Sequence, residues 1–306
     1  MRILFTGGGG AGSEALWRIL SKKYTLFFAD ADIENIDKSI PEKSRLKIEF
    51  ANSNNYIKSV KSVCDKNHID LIVPGVDEEL MQYALSNSLN HLEIFLPNKT
   101  FVKSMLDKQV CAQLIESSGL TVPKTFSIDK TVDLGFPQIV KPKTGRGSRG
   151  VRIINSMEEL NAYRVLFPKK DEELIVQELV LGQEYTILVS ANKGEYLNAI
   201  IPVKVSQKKG ITIEAKVDMN NKIIEYVKKF HSHNKTSGIY NIQCILNKSG
   251  EVYPFEVNPR ISTTFCLCVA AGFDPFKLYF KINPEKELFT PFNEVSLQRN
   301  WFNNFY

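Results

Sequence analysis

The chain has 306 residues, 43% of them apolar and 24% charged, and a net charge of +5. That length supports about two domains with buried cores, and the composition is that of an ordinary soluble globular protein. The lysines are scattered without an aromatic-interleaved basic stripe, so nucleic acid is not the expected partner, and no apolar run reaches the roughly 18 residues of a membrane helix.

Residues 2–6 form an apolar strand running into Gly7-Gly-Gly-Gly-Ala-Gly12, and a helical pattern follows from Ser13 to Leu20. A second strand, Tyr24-Thr-Leu-Phe-Phe-Ala, ends at Asp30 and Asp32, which makes a βαβ unit. The spacing of Gly7, Gly9 and Gly12 satisfies the dinucleotide pattern, with Asp30 near the place of a ribose-binding acid. That pattern is weak alone, and the same turn opens many domains that bind no cofactor. No signal peptide precedes the first strand, and the expected location is the cytoplasm. Five widely spaced cysteines, Cys64, Cys111, Cys244, Cys266 and Cys268, fit reduced thiols better than disulfides or a zinc site.

A helix over 56–66, a buried strand over Ile69–Gly75, a helix opened by Asp77-Glu-Glu79 and a strand at 94–97 follow. The three acids suit the positive end of a helix dipole, and contact with substrate is the alternative role. Residues 1–97 thus read as a small doubly wound domain. Thr100 to Ser118 reads as one helix containing Asp107-Lys108, stopped by Gly119 and Pro123.

Phe136-Pro-Gln-Ile-Val-Lys141-Pro-Lys143 is a strand with alternating lysine, leading into Thr144-Gly-Arg-Gly-Ser-Arg-Gly150 and a returning strand from Val151. A glycine loop between antiparallel strands can close over phosphates through its backbone N–H groups, with Arg146, Ser148 and Arg149 as added donors. It is not a Walker loop, since no helix begins there, and a mobile basic hairpin is the simpler alternative. After a helix over Met157–Leu166, the strand Glu173–Glu178, the linker Leu179-Val-Leu-Gly182 and Glu184 could offer an adenine ring an apolar slot with edge acceptors. Strands at 185–189, 195–203 and 210–217 and a helix at 218–231 come next.

The most informative stretch is the hairpin Asn241–Leu246, Asn247-Lys-Ser-Gly250, Glu251–Arg260. If Asn247 pairs with Gly250, Gln243 lies opposite Pro254, and Gln243, Glu256 and Asn258 share one face. Two amide oxygens flanking one carboxylate suit Mg²⁺, which shares its shell with phosphates. The alternative is an edge strand with a wet polar face.

In this order the lysine strand with its glycine loop, the acid–linker–Gly-x-Glu segment and the Gln…Glu-x-Asn-Pro-Arg hairpin resemble the ATP-grasp superfamily. The resemblance is specifically to the synthetase domains of the carbamoyl-phosphate synthase large subunit. It implies an α/β N-terminal Rossmann-like pre-ATP-grasp domain over 1–97. A two-lobed, α+β ATP-grasp domain over 98–306 would follow, with a smaller lobe at 98–178 and a larger one at 179–306. The closing Leu297-Gln-Arg-Asn-Trp-Phe also looks like the end of stand-alone members.

The resemblance further implies that Lys108 and Lys141 contact the phosphates of ATP and that Gly145, Gly147, Ser148 and Gly150 belong to the loop above them. Glu178, Leu179 and Val180 would meet adenine and Glu184 the ribose. Gln243, Glu256 and Asn258 would hold Mg²⁺ or Mn²⁺, while Arg260, with Lys141 and Arg146, would neutralise the transferred phosphoryl group. The implied activity is an ADP-forming ligation of a small-molecule carboxylate to an amine through an acyl phosphate. Relatives are commonly dimers, which suggests a homodimer by association alone. Gly210-Ile-Thr212 stands where the synthase branch has a histidine, so bicarbonate chemistry is not implied by that motif. A synthetase with another acceptor, or an NAD(P)-dependent oxidoreductase using Gly7–Gly12, are the competing readings. The second lacks a Tyr-x-x-x-Lys pair or other hydride-transfer machinery.

Overall fold

A computed structural model describes residues 1–167, 169–281, 288–291 and 294–300. Three sheets organise the chain. The first contains β1 (Arg2–Thr6), β2 (Thr25–Asp30), β3 (Arg45–Lys47), β4 (Leu71–Val73) and β5 (Glu93–Ile94), all parallel, in the order β3-β2-β1-β4-β5. The connecting helices are α1 (Ser13–Leu20), α2 (Tyr56–Asn67) and α3 (Asp77–Leu85). The central strands read as unbroken apolar runs because a parallel sheet is covered on both faces. Chain direction across this sheet reverses between β1 and β4. Doubly wound folds place ligands in the crevice at the carboxyl ends of such strands. Those ends lead into the glycine turn at 7–12 and into Pro74-Gly75-Val76.

The helix expected over 100–118 is two helices, α4 (Lys99–Leu106) and α5 (Lys108–Ser117). Asp107 breaks it: its extended backbone lets its carboxylate accept from the amides of Gln109 at 2.9 Å and Val110 at 3.1 Å, an N-cap that starts a new helix. The break places Lys108 at the first position of α5, where its amide donates to the Lys143 carbonyl at 2.9 Å.

A four-stranded antiparallel sheet, β6 (Thr125–Ser127), β7 (Gln138–Pro142), β8 (Arg152–Ile154) and β9 (Leu174–Glu178), has the order β6-β9-β7-β8. With α6 (Thr131–Leu134) and α7 (Met157–Leu166) it encloses its own small core around Val140, Leu160 and Val176. The largest sheet has the order β14-β13-β10-β11-β12-β15. Its strands are β10 (Gly182–Ala191), β11 (Leu197–Lys209), β12 (Ile211–Val217), β13 (Gly238–Asn247), β14 (Val252–Asn258) and β15 (Ser296–Gln298). Here β11 runs six residues past the expected end at 203, through Lys209, pairing with β12 across register shifts on either side of Gln207.

One face of this sheet takes α8 (Asn221–His233) and, although they precede the small sheet in sequence, the apolar sides of α4 and α5. Its other face shares a core with the first sheet, together with α9 (Phe265–Ala270) and α10 (Pro275–Tyr279). Phe5, Phe28, Phe95, Leu188, Ile201 and Phe276 all belong to that one cluster. The first and largest sheets are therefore welded, while the small sheet keeps a separate core. No helix among the described residues is long and apolar enough to cross a membrane. Of the closing motif, Leu297 and Gln298 lie in β15, whereas Trp301 and Phe302 fall outside the described residues.

Candidate active site

The hairpin β13–β14 forms with a different register from the expected one. Gln243 lies opposite Glu256, not Pro254, which pairs with Cys244 instead. Pro254 has no N–H to give the ladder, and the strand bulges by one residue at Phe255. The bulge brings the two expected ligand side chains face to face, with Gln243 Nε2 donating to Glu256 Oε2 at 3.2 Å. It also turns Phe255 so that its carbonyl accepts from Lys141 Nζ at 3.1 Å and its ring lies 5.6 Å beneath that nitrogen. Asn258 is buried on the same strand face as Glu256, and its amide donates to Asn241 Oδ1 at 3.4 Å.

Three lysines converge on this face. Lys108 Nζ lies 3.1 Å from Glu256 Oε1 and donates to the Gly145 carbonyl at 2.8 Å, closing the glycine loop over the site. Lys141 is buried and donates to Gln177 Oε1 at 2.7 Å. Burial pushes its ammonium down to about 8, against the opposing pull of the Glu256 carboxylate and with the help of Lys108. Burial opposes ionisation of Glu256, but Lys108 first, then Lys141 and Arg260, overcome it and hold the carboxyl below its usual range.

The third lysine, Lys208, was not singled out from the sequence. Its Nζ donates to Glu184 Oε1 at 2.6 Å and to Gln243 Oε1 at 3.0 Å, joining the expected ribose acid to the expected metal ligand. It became visible only when β11 continued past residue 203. The polar–apolar alternation through Val203, Val205 and Gln207 was the available signal.

The acids opening α3 take three separate roles. Asp77 pairs with Arg260 Nε, and Glu78 accepts from Arg146 Nε at 3.1 Å. Glu79 is buried and accepts from the amides of Gly75 at 2.8 Å and Val76 at 3.0 Å, and from the Tyr56 hydroxyl. Burial raises the Glu79 carboxyl above its ordinary value.

Two cavities result. The first, about 320 Å³, lies between the small and largest sheets. Ile139, Leu179, Val180, Ile245 and Phe255 form its apolar walls, and Lys108, Lys141, Glu178, Glu184, Gln243 and Glu256 its polar end. Gly145, Ser148 and Arg146 roof it, and Glu178 accepts from the Lys124 amide at 3.1 Å. Gly145 (φ +112°) and Gly147 (φ +70°) adopt backbone that a side chain would strain, which suits a loop that must bring its amides close to a ligand. Gly150 ends the loop against the ring of Phe167, with no room for a β-carbon.

The second cavity, about 480 Å³, lies against the first sheet's crevice. The glycine turn, Gly75 and Val76, Thr212, Arg260 and Thr263 wall it. The buried side chains of Thr186 and Thr212 both line it. Arg146, Lys208 and Gln243 line both cavities, so the two meet there. Asp30 accepts from its own neighbours, the amides of Gly9 at 2.9 Å and Asp32 at 3.1 Å. A β-carbon on Gly9 would collide with Asn35. The turn therefore faces the shared cleft, and the acid that a dinucleotide ribose would need is holding the turn itself.

The donor set around Glu256 fits a magnesium ion delivered with phosphates. It has one carboxylate, held below its usual range, on a strand face that also carries the amide side chains of Gln243 and Asn258; here Gln243 turns its Nε2 to Glu256 and its Oε1 to Lys208. Among the described residues there is no group of three or more His, Cys, Asp or Glu side chains able to hold a metal. A metal bound here would thus lean on ligand oxygens for the rest of its shell. Lys108 and Lys208 place positive charge against Glu256 and Gln243.

The ATP-grasp domain family matches residues 105–264, just over half of the chain. The chain belongs to the ATP-grasp family. Its fold is α/β with mixed sheets, as in that family. It is 28% identical over 179 residues to the carbamoyl phosphate synthase large chain of Clostridium botulinum, a match covering 52% of this chain and 16% of that one. It is 33% identical over 112 residues to the D-alanine–D-alanine ligase of Aquifex aeolicus, covering 35% and 37%. This chain therefore spans a small part of the length of those relatives. Among solved structures, biotin carboxylase from Campylobacter jejuni superposes with a TM-score of 0.70 at 14% identity, over 90% of this chain and 69% of that one. An ADP complex of N5-carboxyaminoimidazole synthetase from Staphylococcus aureus gives 0.70 at 16% identity, over 91% and 75%. At such identities the likeness is one of fold.

Proposed function

We propose that the chain is an ADP-forming ligase that uses ATP to join a small-molecule carboxylate to an amine. The observation that supports it most is the meeting of two cavities at Lys208, Gln243 and Arg146, with Glu256 at the end of the first. The first cavity takes ATP, with adenine in the apolar slot against Leu179 and Val180, Glu178 at its edge and Glu184 at the ribose. Lys108 and Lys141 hold the phosphates under Gly145–Gly150, and the carboxylate lies in the second cavity.

A carboxylate resists attack by an amine because it is an anion with a poor leaving group. In the first step a carboxylate oxygen attacks the γ-phosphorus, the bond from that phosphorus to the β,γ-bridging oxygen breaks, and ADP leaves with the electron pair. The amine nitrogen then attacks the acyl carbon, inorganic phosphate departs, and the nitrogen gives up a proton to leave an amide. Magnesium bound by Glu256, Gln243 and Asn258 would supply charge neutralisation at the phosphate oxygens.

The chain's own residues do the positioning. Lys141 and Lys108 hold phosphate oxygens, Arg260 approaches the transferring group from the second cavity, and the glycine loop excludes water that would hydrolyse the acyl phosphate. The Campylobacter jejuni biotin carboxylase is complexed with β,γ-ATP and the Staphylococcus aureus synthetase with ADP, which supports nucleotide in the first cavity.

A thermal-shift comparison tests this reading directly. MgATP at a hundredfold excess over its Kd stabilises the fold by about 2.7 kcal/mol, while NAD(P) leaves the midpoint in place. Stabilisation by NAD(P) and none by MgATP would overturn it. Screening pools of small carboxylic acids and amines for stimulated ADP release then identifies the pair.

A further inference from the structure

Arg299 follows β15 and lines neither cavity, yet its guanidinium reaches three separate parts of the chain. Nε donates to the Thr212 carbonyl in β12 at 2.9 Å. Nη1 donates to the Ala11 carbonyl in the glycine turn, and Nη2 to the Thr263 carbonyl beyond β14. Nη2 also lies 3.8 Å from Cys266 Sγ, and the Arg299 amide donates to the Ile213 carbonyl at 3.0 Å. Ala11, Thr212 and Thr263 all line the second cavity.

We propose that Arg299 is the positioning residue that assembles the acceptor cavity, acting on acceptor binding without touching the acceptor. This inference rests on reading the second cavity as the acceptor site. The three walls come from positions about 11, 212 and 263 and share no strand ladder; α9 packs against both α1 and β12, and Arg299 is the side chain whose donors reach the carbonyls of all three. Only a guanidinium carries enough N–H donors, fanned in one plane, to serve three carbonyls at once; an ammonium is a compact point donor. A peptide's C=O and N–H point in opposite directions, so drawing the Ala11 carbonyl onto Arg299 turns the Gly12 amide away from it. Arg299 thereby sets how the glycine turn presents its backbone to the cleft. The first cavity is built mainly from β7, β9, β13 and β14, with Glu184 and Lys208 from β10 and β11, and none of the groups that Arg299 grips lines it.

The test compares wild type with Arg299→Ala and Arg299→Lys by hydrogen exchange read peptide by peptide. In both variants the amides of Ser13 and Leu16, of Phe265 and Leu267, and those around Ile213 exchange at least about tenfold faster. The 243–258 hairpin does not change, and millimolar methylguanidinium restores slow exchange in Arg299→Ala. The midpoint shift with MgADP stays at the wild-type value. With a mixture of small carboxylic acids as acceptor source, the half-saturating concentration for ADP release rises at least about tenfold, and the KM for ATP stays within about twofold. Unchanged exchange at the three walls overturns the proposal. So do faster exchange spread equally over the chain, loss of the MgADP shift, and an Arg299→Lys protein that behaves as wild type. If wild type itself shows no MgADP shift or no stimulated ADP release, the ligase reading fails, while the exchange data still decide what Arg299 holds together.

Discussion

The two cavities are built on different physical plans. The first cavity is an apolar slot closed at one end by side chains that already satisfy one another, Lys108 with Glu256, Lys208 with Glu184 and Gln243, and Lys141 with Gln177. The second cavity is walled largely by main chain from distant segments, three of whose carbonyls are gathered by Arg299. A site for an invariant ligand can be held by short motifs carrying charged side chains. A site that discriminates among acceptors depends on how separate elements are placed, and small shifts there change what fits. The difference teaches that substitutions in the first cavity should act on ATP and those around the second on its co-substrate.

The largest separation should come from Glu256→Gln, which removes the only carboxylate on the hairpin face that carries Gln243 and Asn258. Substrate-dependent ADP release is expected to fall by about a thousandfold or more, with the thermal midpoint nearly unchanged. Retained ADP release in a coupled assay would show that this carboxylate does not support phosphoryl transfer.

Lys141→Met comes next. Losing a buried cation that grips phosphate should weaken MgATP binding about a hundredfold by calorimetry, while KM for the acceptor changes little. The same lysine predicts a pH dependence. Its folded value, about 8, lies below the unfolded 10.5, so the unfolded chain binds more protons in that window. Fold stability therefore gains a contribution as pH rises from about 8 towards 10.5, whereas nucleotide affinity falls over the same range because phosphates want the charged form. Chemical denaturation and calorimetry at pH 7, 8.5 and 9.5 should show the opposite trends, and both should vanish in Lys141→Met.

Lys208→Ala probes the junction. It frees Glu184 and Gln243 together and removes a cation at the place where the cavities meet. The expected loss is about tenfold to a hundredfold in kcat, with KM for ATP changing less. An effect confined to KM for ATP would move Lys208 from the junction to the nucleotide alone.

The smallest effect belongs to Glu78→Ala. Its partner Arg146 and Glu78 are 38% and 48% exposed, and such pairs contribute about 0–1 kcal/mol. Nucleotide affinity should change by less than about fivefold, while limited proteolysis within 144–150 becomes faster as the glycine loop loses its tether to α3.

Much of the lining of the first cavity was legible in the chain because its polar residues travel in short motifs. Alternation along a strand puts Lys141 on one side of β7 and pairs Glu256 with Asn258 on β14, whatever the rest of the molecule does. Glycine at 145, 147 and 150 announced a loop with unusual backbone, since only that residue enters such conformations without strain. Most of the parallel sheet of residues 2–94 followed from its apolar runs, but the edge strand β3, Arg45–Lys47, carries two basic residues and gave no such signal. Tertiary structure alone decided the rest. The bulge at Phe255 depends on how β13 and β14 pair, so it moved Gln243 opposite Glu256. The helix break at Asp107 won over a continuous apolar pattern because a side-chain cap outweighs weak propensity. Lys208 meeting Glu184, the three acids of α3 finding three partners, and Arg299 gathering 11, 212 and 263 are contacts between segments far apart in sequence. Periodicity records which face of an element is apolar; it does not record which distant carbonyl or carboxylate will stand in front of a charged one.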